Sequence, residues 1–85
     1  GQIAMAYSKL SSLPHGDLLD QYAALQQARL AMAVQTGKID SGKFKKDAYA
    51  STSKEQIVEE LMLEYLKVAL GRPSLVGQKV ALAIN

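Results

Sequence analysis

Between residues 53 and 70, Ile57, Val58, Leu61, Met62, Tyr65, Val68 and Ala69 recur at the three- and four-residue spacing of a single helix face. An apolar stripe of that kind has to be covered, so the chain must supply at least one further helix to pack against it. The start of this helix is marked by Thr52-Ser53-Lys54-Glu55, a capping-box pattern, with Ser53 and Gln56 as the alternative register. Its end is marked by Gly71, Arg72 and Pro73, the usual order of helix, glycine and proline.

The partner is a second long helix, expected from about residue 17 to 35. Ser11, Ser12, Pro14, His15 and Gly16 break the chain before it, and Asp17 stands as N-cap or first-turn carboxylate. Wound at helical pitch, Leu18, Leu19, Tyr22, Leu25, Leu30 and Met32 share one broad side, and Thr36-Gly37 is the stop. Two apolar faces of this length predict an all-α fold, a small helical bundle built on an antiparallel pair of longer helices with short flanking segments. Residues 2–10 form one flank, a short amphipathic helix with Ile3, Ala6, Tyr7 and Leu10 at helical spacing. Residues 75–84 form the other, either a short helix capped by Ser74 or a strand over 79–84, with Gly77 counting against the helix. A connector over 38–52 is expected to hold a short helix near 41–50.

At 85 residues the chain has room for one domain, spanning 1–85, with Gly1 read as a tag remnant or the start of an excised fragment. No cysteine is present, which excludes disulfides, thiolate nucleophiles and cysteine-ligated metals. The single histidine, His15, excludes histidine-rich metal sites. No apolar run reaches the roughly 20 residues of a membrane span, and no signal-peptide core opens the sequence. A cytoplasmic protein without membrane partner, metal or cofactor is therefore the expectation.

Motifs that carry chemistry are few. Gly37 to Phe44 follows a phosphate-loop spacing but ends in Phe where Ser or Thr would hold magnesium, and the glycine closes a helix instead of opening one. His15 has Asp17, Ser11 and Ser12 near it only in sequence, where capping accounts for them. An enzyme is not expected.

Two other features point to partners. Leu63, Leu66 and Leu70 form a second apolar stripe on the 53–70 helix, beyond what one core contact needs. They are the expected protein interface of a non-enzymatic interaction module, self-associating or serving as an adaptor or regulatory subunit. Gln26 and Arg29 project from the apolar side of the 17–35 helix and are candidate polar contacts, with Glu64 the expected ion-pair partner of Arg29. The alternative is a small nucleic-acid-binding or transcription-regulatory protein. In that reading Lys38, Lys43, Lys45 and Lys46 grip phosphates while Phe44 stacks on bases. A net charge of only +2 and a helix lined by Glu55, Glu59, Glu60 and Glu64 argue against a DNA-reading helix-turn-helix.

Overall fold

The computed structural model describes residues 1–35, 49 and 51–85. Within them the chain is all-helical: α1 (Gln2–Ser11), α2 (His15–Gln35), α3 (Lys54–Ala69) and α4 (Gly77–Ile84). The expected small helical bundle is what forms, and the strand considered for 79–84 does not. The expected helix near 41–50 and the Gly37 stop lie outside the described residues.

The α3 helix is the hub. It packs against α1, α2 and α4, and α1 also meets α4. The inward arc of α3 follows the spacing of its apolar residues: Ile57, Val58, Leu61 and Met62 are buried, with Tyr65 packed at the margin. Leu10 of α1, Leu18 and Leu25 of α2, and Val80 of α4 meet this arc as fully buried side chains. Burying each such side chain contributes about 1.5–3 kcal/mol, so α3 organises most of the hydrophobic stabilisation available to so short a chain.

The helix boundaries have local causes. Ser53, in an extended conformation, caps α3 by accepting a hydrogen bond from the Gln56 backbone at 3.2 Å. The second of the two possible registers is thus used, and the Thr52–Glu55 capping box is not. At the other end Gly71 takes φ +70°, a left-handed conformation that costs a glycine little. There the Arg72 amide donates to the Lys67 carbonyl at 2.7 Å and the Gly71 amide to that of Val68 at 3.0 Å. These two bonds make a Schellman stop, which satisfies carbonyls the helix would otherwise leave open. The α2 helix begins at His15, with Asp17 in its first turn instead of at the cap, and the Leu18 amide bonds back to Pro14.

Burial departs from the periodicity in two places. On α1, Ala6 and Leu10 are buried but Ile3 and Tyr7 are exposed, because the helix rests on α3 and α4 along the Ala6–Leu10 edge of its apolar side. On α2 Leu25 is the last residue described as buried; beyond it Ala28 still packs against the core and Arg29 reaches Glu60 of α3, while Met32 is exposed.

The glycine that argued against α4 is what lets it dock. A Cβ built at Gly77 would collide with the backbone carbonyl oxygen of Glu64, the Val68 side chain and the Ser74 hydroxyl. The two helices therefore approach more closely than any side chain at 77 permits. Gly77→Ala should destabilise the fold by about 1–3 kcal/mol through overpacking, although helix propensity alone predicts a gain of up to about 1 kcal/mol. Gly16→Ala in the first turn of α2, where a Cβ meets nothing, should be neutral or stabilising. Thermal melts followed by circular dichroism separate the two; equal or higher melting of Gly77→Ala would show that the close approach carries no energetic weight.

Candidate functional site

Two carboxylates one turn apart on α3 do different work. Glu64 is 1% exposed, which demands full compensation for a charge removed from water. Its Oε1 accepts from the Ser74 hydroxyl at 2.8 Å and from the Leu75 amide at 3.0 Å, while Oε2 accepts from Lys67 Nζ at 2.8 Å. Ser74 in turn accepts from the Gly77 amide at 2.8 Å, so this hydroxyl receives the first amide of α4 while anchored to α3, although the N-cap position is Val76 and not Ser74 as the sequence suggested. Burial pushes the Glu64 carboxyl upward, but the bonds from Lys67, Ser74 and Leu75, with the charge of Lys67, outweigh it and hold the pKa below the ordinary glutamate value.

Glu60 faces α2. Its Oε1 accepts from Arg29 at 2.7 Å, and its Oε2 accepts from the Tyr22 hydroxyl at 2.7 Å and from the Gln56 amide at 3.3 Å. Arg29 thus pairs with Glu60, not with Glu64 as its sequence position suggested. Glu64 lies on the side of α3 that turns toward α4, where the clamp on Ser74 and Leu75 occupies it. At Glu60, too, burial raises the pKa while the bonds from Tyr22, Arg29 and Gln56 and the Arg29 charge lower it further, for a net decrease. The Tyr22 hydroxyl is raised by burial first and by Glu60 second, with Arg29 and the half-buried Gln26 acting in the opposite sense. Gln26 and Arg29 therefore belong to one polar cluster that ties α2 to α3. The Tyr22 ring also meets Tyr49 edge-on, with centroids 5.7 Å apart and planes at 88°.

The remaining feature of α3 is its outer face. Leu66 lies roughly opposite Ile57 on the helix, and Leu63 and Leu70 flank it. Leu63 is 53% exposed, Leu70 is 68% exposed and Leu66 is partly buried. The expected interface residues thus share a stripe of about two turns. Other apolar residues are exposed differently: Met32 on α2 and Leu82 on α4 lie on separate helices, and Ile3 and Met5 leave α1 in nearly opposite directions. Ile3 and Tyr7, one turn apart on α1, make a shorter pair that the sequence had assigned to the core.

Lys38, Lys43, Phe44, Lys45 and Lys46, the candidate nucleic-acid contacts, lie outside the described residues. Among the described residues no group of three or more histidine, cysteine, aspartate or glutamate side chains is placed to hold a metal ion, and no helix is long and apolar enough to cross a membrane. His15 sits exposed at the start of α2. Comparison with family models, with curated proteins and with solved structures gives no match for this chain.

Because both carboxylates titrate lower in the fold than in the unfolded chain, their contribution is complete above the ordinary glutamate pKa of 4.5 and is lost as pH falls through the folded values. Glu64→Gln should lose roughly 1–3 kcal/mol at neutral pH, since an amide cannot accept at both oxygen positions. Its stability should then fall less steeply than that of the parent between pH 5 and 3. Urea titrations across that range test this, and parallel acid slopes would mean that Glu64 does not carry the linkage.

Proposed function

We propose that this domain is a non-enzymatic protein–protein interaction module that associates with a second copy of itself through the outer face of α3. The observation that carries the reading is the exposure of Leu63 and Leu70, with Leu66 between them, on a side of α3 that α1, α2 and α4 leave open among the described residues.

Single exposed leucines are ordinary, but a stripe of them bordered by charged side chains is the form that protein docking surfaces take. Glu59 and Lys67, both exposed, border this one. A chain of this size also gains disproportionately from association, because its own core buries a limited share of its surface. Glu55 and Glu59 precede the leucines on α3 and Lys67 stands beside them, so the one stripe carries both signs of charge, which suits a second copy as partner. The same surface can therefore serve both sides of an interface.

Size exclusion with light scattering on the parent should give a dimer at tens of micromolar and above. Leu66→Glu should weaken association by about 10–100-fold, the loss expected when one buried leucine is replaced by a charge, with helical content unchanged. Leu70→Glu, at the more exposed position, should weaken it comparably with no cost to folding. A parent that stays monomeric at several hundred micromolar would sink the proposal.

A further inference from the structure

Resting on the self-association proposed above, we infer that the docking face spans two helices: Ile3 and Tyr7 of α1 lie beside the leucine stripe of α3, and the second copy covers both. The stripe alone is small for the task. Leu63 and Leu70 are only in part exposed and Leu66 is partly buried, whereas a stable interface takes about 800 Å² from each partner. Ile3 is 57% exposed and Tyr7 50% exposed. A tyrosine adds a large contact area for one residue, and it is a side chain that interface centres favour.

Two shallow cavities fix the course of α1 over its neighbours. Gln2, Met5, Ala6 and Lys9 line one together with Tyr65 and Ile84, and Tyr7 and Ser11 line the other together with Lys54, Glu55 and Val58. The earlier part of α1 thus lies along the later part of α3, and the end of α1 lies along the beginning of α3, so the two helices run antiparallel. Gln2 and Lys9 leave α1 on one side of its buried Ala6–Leu10 edge, the side of α4, and Ile3 and Tyr7 leave it on the other. On α3, Leu66 follows Glu55 by about three helical turns and points in nearly the same direction. From Tyr7 beside Glu55, the turn of α1 that leads back to Ile3 therefore runs along α3 toward Leu66.

The apolar surface passes in this way from Tyr7 and Ile3 across Leu66 to Leu63 and Leu70. A two-fold axis sets such a face against itself, so a second copy covers both rows at once. The same arrangement gives Ile3 and Tyr7 a use. They keep the apolar period of α1 without entering the core of one copy, and in the dimer they are covered.

The chain has no cysteine, so a single introduced thiol reports on this face without background. Alkylation of Ile3→Cys and Leu82→Cys proteins by iodoacetamide is timed at concentrations below and above those at which light scattering shows each to dimerise. Leu82 is the control, because it is exposed on the side of α4 opposite the buried Val80 and Ile84. The expected result is a several-fold slowing of the Ile3→Cys reaction as the dimer forms, with the Leu82→Cys reaction unchanged. Loss of the dimer in the Ile3→Cys protein alone, at unchanged helical content, would support the same face. An Ile3→Cys thiol that reacts at one rate throughout dimerisation, or is slowed no more than that of Leu82→Cys, would overturn the two-helix face and leave self-association through α3 standing. A monomeric parent would overturn the self-association beneath it. Independently of the thiols, Ile3→Glu should weaken the dimer by about tenfold while circular dichroism stays that of the parent. A dimer as tight as the parent's would mean that the second copy does not reach α1.

Discussion

A carboxylate withdrawn from water is tolerated only where several donors converge on it, and in this fold that condition determines where the last helix goes. Glu64 projects from the middle of α3 into a site with almost no solvent access, and the donors that satisfy it come largely from the segment joining α3 to α4. Ser74 completes the link, because the same hydroxyl that donates to Glu64 accepts the first amide of α4. The charge therefore specifies a turn, and the turn specifies the direction in which α4 leaves. Replacing a buried ionic cluster by apolar residues is often neutral in stability, so the value of such a group lies as much in excluding other arrangements as in holding this one. Gly77 serves the same junction sterically, since only a residue without a Cβ lets α4 close onto the carbonyl of the residue that anchors it.

Much of the architecture is legible in the amino-acid order because it rests on local chemistry. The apolar period of α3 and the Gly71-Arg72-Pro73 stop each act within one turn of chain and appear where expected, and the breaker ahead of α2 appears in shortened form over 12–14, with Ser11 closing α1 and His15 and Gly16 opening α2. The outer leucines were legible for the same reason: a helix with apolar residues on too much of its circumference must leave some of them outside. What was not legible depends on distances between elements. Periodicity places Arg29 on the side of α2 that meets α3 but cannot choose between Glu60 and Glu64, which differ by one turn of helix. Gly77 looks like a helix breaker until the proximity of Glu64 and Val68 is known. Ile3, Tyr7 and Met32 fit their apolar patterns yet stay exposed, because α1 and α2 engage the core over only part of their surfaces.

The two glutamates show how one residue type on one helix face can be given separate tasks. Glu60 sits at the border between α2 and α3, where Tyr22 and Arg29 reach it and water still has access. It keys the position of α2 along α3 without enclosing a charge completely. Glu64, enclosed, keys α4. Both have lowered pKa values despite the opposing effect of burial, so in each case the donors and neighbouring positive charge outweigh desolvation. The bundle is thus bound together by apolar contacts of limited specificity and aligned by two polar clusters of high specificity.

Among the described residues this division of labour leaves the outer arc of α3 without a partner helix. There α1, α2 and α4 pack on its inner arc or its borders, and Glu60 and Glu64 at those borders are engaged by Arg29 and Lys67. Among the described residues Leu63 and Leu70 stand outside the core of one copy and expose apolar surface to water. Such a surface is stabilising only when something covers it, and in the self-association proposed above a second α3 of the same shape supplies that cover. Folding and association would then be two uses of opposite faces of one helix, and substitutions on the outer arc can alter the second without disturbing the first.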